Sequence, residues 1–355
     1  MSVTVLKPGL LTTLQDAGRR GCAALGVGSA GPMDDVAFRL ANALVGNDPD
    51  ATTLEMTLLG PRLHFDEEAL IAFAGADFDA KIGASTLVAW RPLRIAAGSV
   101  LDCGHARRGT RGYLAIAGSF AVARVLGSAA TDVNARIGPF GGRALASGDV
   151  LSIGSLSRIH DDVFARHTPP AHGAFPAQAQ SASHTGNARV SIAQSALQSA
   201  WSLDPRPWFD ADPTLPIRLI RGTHFDALDA ASRGALFDAD YRIGADSNRT
   251  GFRLDGPRLA LVAPLELVSE PVAFGTLQLP PGGQPIALMA EHPTVGGYPR
   301  IGQVAAIDLP RLAQRRPAET LHFLEIDLDE AQTRYLARER EIASMIAMID
   351  TRLGE

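Results

Sequence analysis

The stretch "LGVGSAGPMDD" (residues 25–35) sets Gly26, Gly28 and Gly31 at the spacing G-x-G-x-x-G, ahead of the helix-patterned run "PMDDVAFRLANALVGN" (32–47). Two architectures compete for it. In a dinucleotide-binding unit the glycines lie between a buried strand and a helix opening at the third glycine, within βαβ connections, and an acid about 20 residues on contacts the ribose. Glu55 stands in roughly that place. Yet the residues ahead of Gly26, "RRGCAAL", offer little strand, and what surrounds the helix is strand and turn without alternating helices. The glycines are therefore read as turn residues at positions needing positive φ, and the chain as mainly β.

Working outward, residues 1–154 form a series of short apolar or alternating runs broken by Gly and Pro. "TTLEMTL" (52–58) alternates, with Leu54, Met56 and Leu58 on one face and Thr53, Glu55 and Thr57 on the other. "RLHF" (62–65), "ALIAFAG" (69–75), "TLVAW" (86–90), "SVLDCG" (99–104), "RGYLAIAGS" (111–119) and "DVLSIG" (149–154) continue the pattern of a barrel or sandwich. The one clear helix has Pro32 and Asp34 or Asp35 at its start, Val36, Leu40 and Leu44 on one face, and Gly46 as its stop.

Residues 155–213 have no period and are rich in Pro, Ala, Ser, Gln and His, which predicts a connection. Its histidines (His160, His167, His172 and His184) match no ligand spacing. A second β-rich block spans 214–325, with strands expected in "LPIRLIRG", "GFRLDGPRLALV", "GTLQLPPGGQPIALMA" and "RIGQVAAID" and a short helix in "DALDAASRGALFD". "GPRL" opens a strand-like run at 60 and again at 256, a hint of two related barrels. Residues 326–355 hold a long amphipathic helix. Leu328, Tyr335, Ile342 and Ile349 recur every seven residues, with Ile346 and Leu353 on the same face. That stripe packs on its own barrel or docks a partner chain.

The chain has 355 residues, enough for two domains. Hydrophobic residues make up 46%, and the net charge of −5 gives no reason to expect a nucleic-acid or anionic-membrane partner. Lys7 and Lys81 are its only lysines. Two cysteines, Cys22 and Cys103, build no disulfide framework and suit a reducing compartment. No run approaches the ~20 apolar residues of a membrane span, and the start lacks a signal-peptide pattern. The reading is cytoplasmic.

Chemistry-bearing motifs are weak singly. There is no P-loop, no G-x-S-x-G elbow and no H-E-x-x-H, and Glu291 with His292 alone makes no metal triad. In "DSNRTG" (246–251), Asn248 and Arg249 offer planar groups suited to a carboxylate or amide. In "GTLQLPPGGQP" (275–285), Gln278 and Gln284 could be presented to a substrate or simply close a hairpin.

Taken in order, "GLLTTLQDAGRRG" (9–21), "GPMDDVAFRLANALVGN" (31–47), "LEMTLLGP" (54–61), "SNRTGFRL" (247–254), "GTLQLPPGGQPIALMAEHPTVGGYPRIGQV" (275–304) and "DLPRLAQRRP" (308–317) resemble the biotin-dependent carboxyltransferase family, also called allophanate hydrolase subunit 2. The resemblance covers nearly the whole chain outside 155–213. It departs at Gly28, where relatives commonly have proline, and at Glu291, where they often have Asp. A position that accepts proline is no pyrophosphate glycine.

The resemblance implies two tandem cyclophilin-like β-barrels with a few helices. It also implies one of three roles. The first is a subunit of ATP-dependent 5-oxoprolinase, working with a KipI-like and a LamB/YcsF-like 5-oxoprolinase subunit to open 5-oxo-L-proline to L-glutamate. The second is the carboxyltransferase part of a biotin-dependent urea or amide carboxylase, and the third a non-catalytic regulatory partner of a KipI-like subunit. ATP would bind without a P-loop, and biotin would not be attached to this chain, since Lys81 in "DAKIGA" sits in an ordinary strand and turn. The small-molecule substrate would present a planar amide. Arg249 and Asn248 would orient it, Glu291 or Asp16 would act as polariser or base, and Gln278, Gln284, Thr294 and Tyr298 would supply hydrogen bonds.

Overall fold

The computed structural model describes residues 1–155, 196–209 and 211–354; the four histidines of the connection lie outside these. The first unit carries β1 (Ser2–Lys7), β2 (Leu11–Gln15), β3 (Thr53–Thr57), β4 (Arg62–Phe65), β5 (Ala69–Phe78), β6 (Lys81–Ile82), β7 (Ser85–Thr86), β8 (Leu93–Ile95), β9 (Val100–Asp102), β10 (Ala106–Ile116), β11 (Val150–Ser152) and β12 (Ala196–Gln198). These make two six-stranded sheets, ordered β11-β1-β4-β9-β6-β7 and β12-β8-β5-β10-β3-β2. The second unit carries β13 (Ile217–Arg221), β14 (Asp240–Ile243), β15 (Gly251–Asp255), β16 (Glu270–Pro271), β17 (Thr276–Gln278), β18 (Ile286–Leu288), β19 (Val295–Gly296), β20 (Arg300–Val304) and β21 (Thr320–Glu325). Seven of them close into a barrel, β13-β20-β17-β18-β15-β14-β21, while β16 and β19 form a separate ribbon.

The period-2 geometry of a strand decides where the cores sit. On β5, Ala69, Ile71 and Phe73 pack between the two sheets with Val3, Val5, Leu54, Met56 and Leu63. The intervening Leu70, Ala72 and Ala74 face the other way, against helix α1 (Asp35–Ala43). Strand β5 is therefore buried on both faces, and its sequence reads as an almost unbroken apolar run. The Asp34 side chain caps α1, accepting from Ala37 N at 3.0 Å. The polar face of β3 is hidden as well, and Glu55 is 1% exposed.

Around the opening stretch there is no β–loop–α unit. Ala23–Leu25 form one 3₁₀ turn, Gly26 closes it at φ 76°, and α1 does not begin until Asp35. Gly31 also lies at positive φ, whereas Gly28 does not. The repeated GPRL opens β4 in the first unit; its second copy gives only an isolated bridge, Leu228 to Leu261, beside helix α2 (Ala230–Asp238).

Two stretches fold differently from expectation. Strand β12 pairs with β8, and Trp201, Leu203, Trp208 and Phe209 pack beside α1, so the connection ends as part of the first unit. After a short helix α3 (Leu309–Ala313), the long helix α4 (Leu328–Gly354) neither stays on its own barrel nor presents its whole stripe outward. Its Ala331 packs with Ala305 and Ile326 of the second unit, whereas Ile342, Ile349 and Leu353 enter the α1 cluster of the first. Leu328 and Tyr335 remain 54% and 38% exposed. The seven-residue spacing is continuous in sequence, but the surface beneath it is not.

Candidate functional site

Between the units lies a buried ionic clamp. Arg249, on the loop joining β14 to β15, points into the first unit and uses three nitrogens. Its Nε donates to Glu291 Oε1 at 2.5 Å, Nη1 pairs with Glu55 Oε1, and Nη2 donates to the carbonyl of Gly31 at 2.7 Å. The other oxygen of Glu55 accepts from Tyr113 Oη at 2.7 Å and from Met33 N at 2.9 Å. The glycine-rich stretch thus serves the site with its backbone: one carbonyl for a guanidinium, one N–H for a carboxylate.

Next to this clamp, Tyr113 Oη accepts from Asp34 N at 2.8 Å, and Gln314, just after α3, donates to Asp34 Oδ2 at 2.8 Å. Gln314 Oε1 also accepts from the N–H groups of Thr110 and Arg111. The Arg111 guanidinium lies over the Phe252 ring, 5.5 Å from its centroid.

Burial in this seam sets the acidities. Burial alone works against the Arg249 charge, but Glu55 and Glu291 outweigh it and hold its pKa above the ordinary guanidinium value. Burial raises the Glu291 carboxyl even though Arg249 pulls it down. Asp34 is pushed up to about 6, by burial first, against the hydrogen bonds from Ala37 and Gln314. Burial, then the Glu55 charge, lifts the Tyr113 phenol well above its usual range.

Glu291 also forms the floor of an open cleft of about 560 Å³ between the units. The first unit contributes Gly26, Gly28, Asp132 and Asn134; the second contributes Asn248, Thr250, Gln278, His292 and Tyr298. Asn134 reaches across, donating to Thr250 Oγ1 and, at 3.4 Å, to Glu291 Oε2. Gln278 is 4% exposed and its Nε2 has no partner among the described residues, an arrangement that costs about 1–3 kcal/mol. Gly296 of the overlying ribbon lies against this amide, where a Cβ would collide with it. The cleft therefore combines a buried carboxyl of raised pKa, amide groups, a phenol and the Arg253 guanidinium, a set suited to a ligand with a planar amide.

The structure brings Glu291, Asn248, Gln278 and Tyr298 together here. Arg249 sits behind the wall, 3% exposed, with its donors spent on protein. Asp16 lies elsewhere, buried against Ser128 and the N–H groups of Gly18 and Ala129, where it holds a turn. Gln284 spends both ends of its amide on Gly256, each at 3.0 Å. Thr294 does not line the cleft; its carbonyl accepts from Val272 N. Reasoning from the sequence missed Tyr113, Asp132 and Asn134, and saw Glu55 only as a ribose contact. Glu55 carried a signal, being an acid within a long shared motif. Asn134, in "TDVNARIG", carried none.

Comparison with known proteins agrees with this fold. A family model described as "Carboxyltransferase domain, subdomain A and B" matches residues 25–325. The C subunit of 5-oxoprolinase from Escherichia coli is 33% identical over 328 residues, 92% of each chain, and that from Haemophilus influenzae is 31% identical over 93% and 92%. Urea amidolyase of Lachancea kluyveri is 27% identical over 92% of this chain, which spans only 17% of that protein. The solved urea carboxylase of Kluyveromyces lactis superposes with a TM-score of 0.76 at 26% identity, over 96% of this chain and 29% of its own. With most of its length matched by one family model and by two full-length relatives, this chain belongs to the carboxyltransferase subdomain A and B family.

Proposed function

We propose that this chain is the C subunit of a cytoplasmic, ATP-dependent 5-oxoprolinase and that the cleft between its units receives the lactam. The observation that carries the reading is the reciprocal match to the C subunit of 5-oxoprolinase, 92% of both chains, against the small fraction of urea amidolyase that the chain spans. The complex is completed by two partners, one KipI-like and one LamB/YcsF-like, and ATP supplies the drive for opening an unactivated amide. In that chemistry the lactam carbon–nitrogen bond breaks, water supplies the new carboxylate oxygen, and the ring nitrogen takes a proton. Glu291 suits the proton handling, because its raised pKa brings it closer to neutrality and its Oε2 faces the cleft. Gln278, Asn248 and Tyr298 would grip the planar amide. Arg249 is a positioning residue that holds Glu291.

Co-expression with the two partner subunits, followed by glutamate and ADP assays with one of the three chains omitted at a time, tests the reading. Glu291→Gln is expected to lower kcat about 100-fold with the complex still assembled. Turnover that persists without this chain refutes the proposal. The superposition on urea carboxylase favours a second reading, a carboxyltransferase fed by biotin on another protein. That reading predicts a biotinylated carrier in the purified complex, seen on a streptavidin blot.

A further inference from the structure

The outer face of the first unit holds a second cleft, of about 580 Å³, that shares no lining residue with the one between the units. Its charge comes from strand register. Val5 opposes Leu63, Leu63 opposes Leu101, and Ile82 opposes Leu101, all pointing into the core. The alternate positions point outward and align in a row: Lys7 opposite Arg62, Arg62 opposite Asp102, Asp102 opposite Lys81. Regular pairing would have set Leu6 against Arg62. A bulge between Val5 and Lys7 puts Lys7 there instead, re-aiming a side chain in the way bulges do.

The result places two cations directly opposite each other, a destabilising arrangement, and gathers both lysines of the chain in one cleft. Two acids also line the cleft, and Asp102 keeps its charge opposite Arg62 and Lys81. Asp102 Oδ1 accepts from Gly104 N at 3.1 Å, and Asp79 pairs with Arg107. Among the described residues Lys7, Arg62 and Lys81 make no ion pair. In a chain of net charge −5, three exposed, unpaired cations in one concavity form a local positive well.

We propose that this cleft binds the phosphate groups of a small molecule. Ammonium groups act as point charges and the Arg62 guanidinium as a fork for phosphate oxygens, and the volume falls within the range of ligand sites.

Calorimetric titration of the full chain with inorganic pyrophosphate, at about 50 mM salt and again at about 300 mM, tests this. Binding is expected, weaker at the higher salt. Lys7→Met, Arg62→Met and Lys81→Met should each weaken it about tenfold. Asp102→Asn should strengthen it, a gain that loss of fold cannot imitate. The melting temperature of Lys7→Met should hold or rise as its like-charge contact with Arg62 is relieved, and Glu291→Gln should bind as wild type. ATP binding as tightly as pyrophosphate, with adenosine silent, assigns recognition to the phosphates. No pyrophosphate binding, an unchanged affinity in the triple Met variant, or citrate binding equally well would each overturn the proposal.

Discussion

Arg249 has the most to lose from substitution, because three acceptors converge on it inside the protein. Replacing it with Met strips Glu291 of its cation and leaves Glu55 only the more distant Arg111, 3.9 Å away, a loss expected to reach about 3 kcal/mol. Urea denaturation should register it as a lower midpoint. Lys in its place cannot span all three acceptors and should recover only part of the loss. Asp34 gives a prediction of opposite sign. Folding raises its carboxyl to about 6, from an ordinary value near 4, so between these pH values the folded chain holds more protons than the unfolded one. Its contribution to stability therefore grows as pH falls from about 6 to about 4 and is flat above about 7, a change of about 3 kcal/mol. Asp34→Asn should remove that slope from a series of denaturation curves. At this scale the sequence was half legible. Glu291, Asn248, Gln278 and Tyr298 carry donors and acceptors inside recognisable motifs, but Arg249 and Glu55 meet across 194 residues of chain, and only the fold reveals that one is spent on the other.

The strands were the most readable elements, because alternation and turn residues report local geometry directly. What alternation could not tell is which polar faces meet solvent. The Thr53–Glu55 face of β3 looks like an exposed surface, yet it is buried, with Glu55 held against Met33, Tyr113 and Arg249. Helix α4 teaches the same lesson in reverse, since its continuous stripe is buried at one end and open at the other. Ile342→Ala should cost about 2–4 kcal/mol, because the side chain is fully buried against α1. Leu336→Ala, on a residue 53% exposed, should change stability by less than about 0.5 kcal/mol. Equal losses at the two sites would mean that the exposed half of α4 is covered in solution.

Across the whole molecule, the two units are joined by a seam of specific bonds. Gln314 reaches Asp34, Arg316 donates to the carbonyls of Ala106 and Gly109, Thr110 bonds back to the carbonyls of Gln314 and Arg315, and α4 lies across both units. Calorimetry should accordingly show one unfolding transition. A chain ending at residue 327 should melt lower, with the first unit losing the cover of Ile342, Ile349 and Leu353. Two resolved transitions in the intact chain would mean that the seam is weak. The tandem β plan was visible in composition and motif order, whereas the seam was not, because the residues that build it lie far apart along the chain.

The loop at residues 25–35 contributes to the clamp through main-chain atoms at Gly31 and Met33. Ahead of the buried Met33 and the capping Asp34, its side chains make no bond in the clamp and can drift under selection, provided the peptide path is kept. A saturation library across this loop should return many tolerated replacements at Val27 and fewer at Gly28, where a Cβ would lie 3.2 Å from the His292 carbonyl. At Gly31 it should return almost none, since any side chain there would be strained at φ +89° and pressed against Gly18.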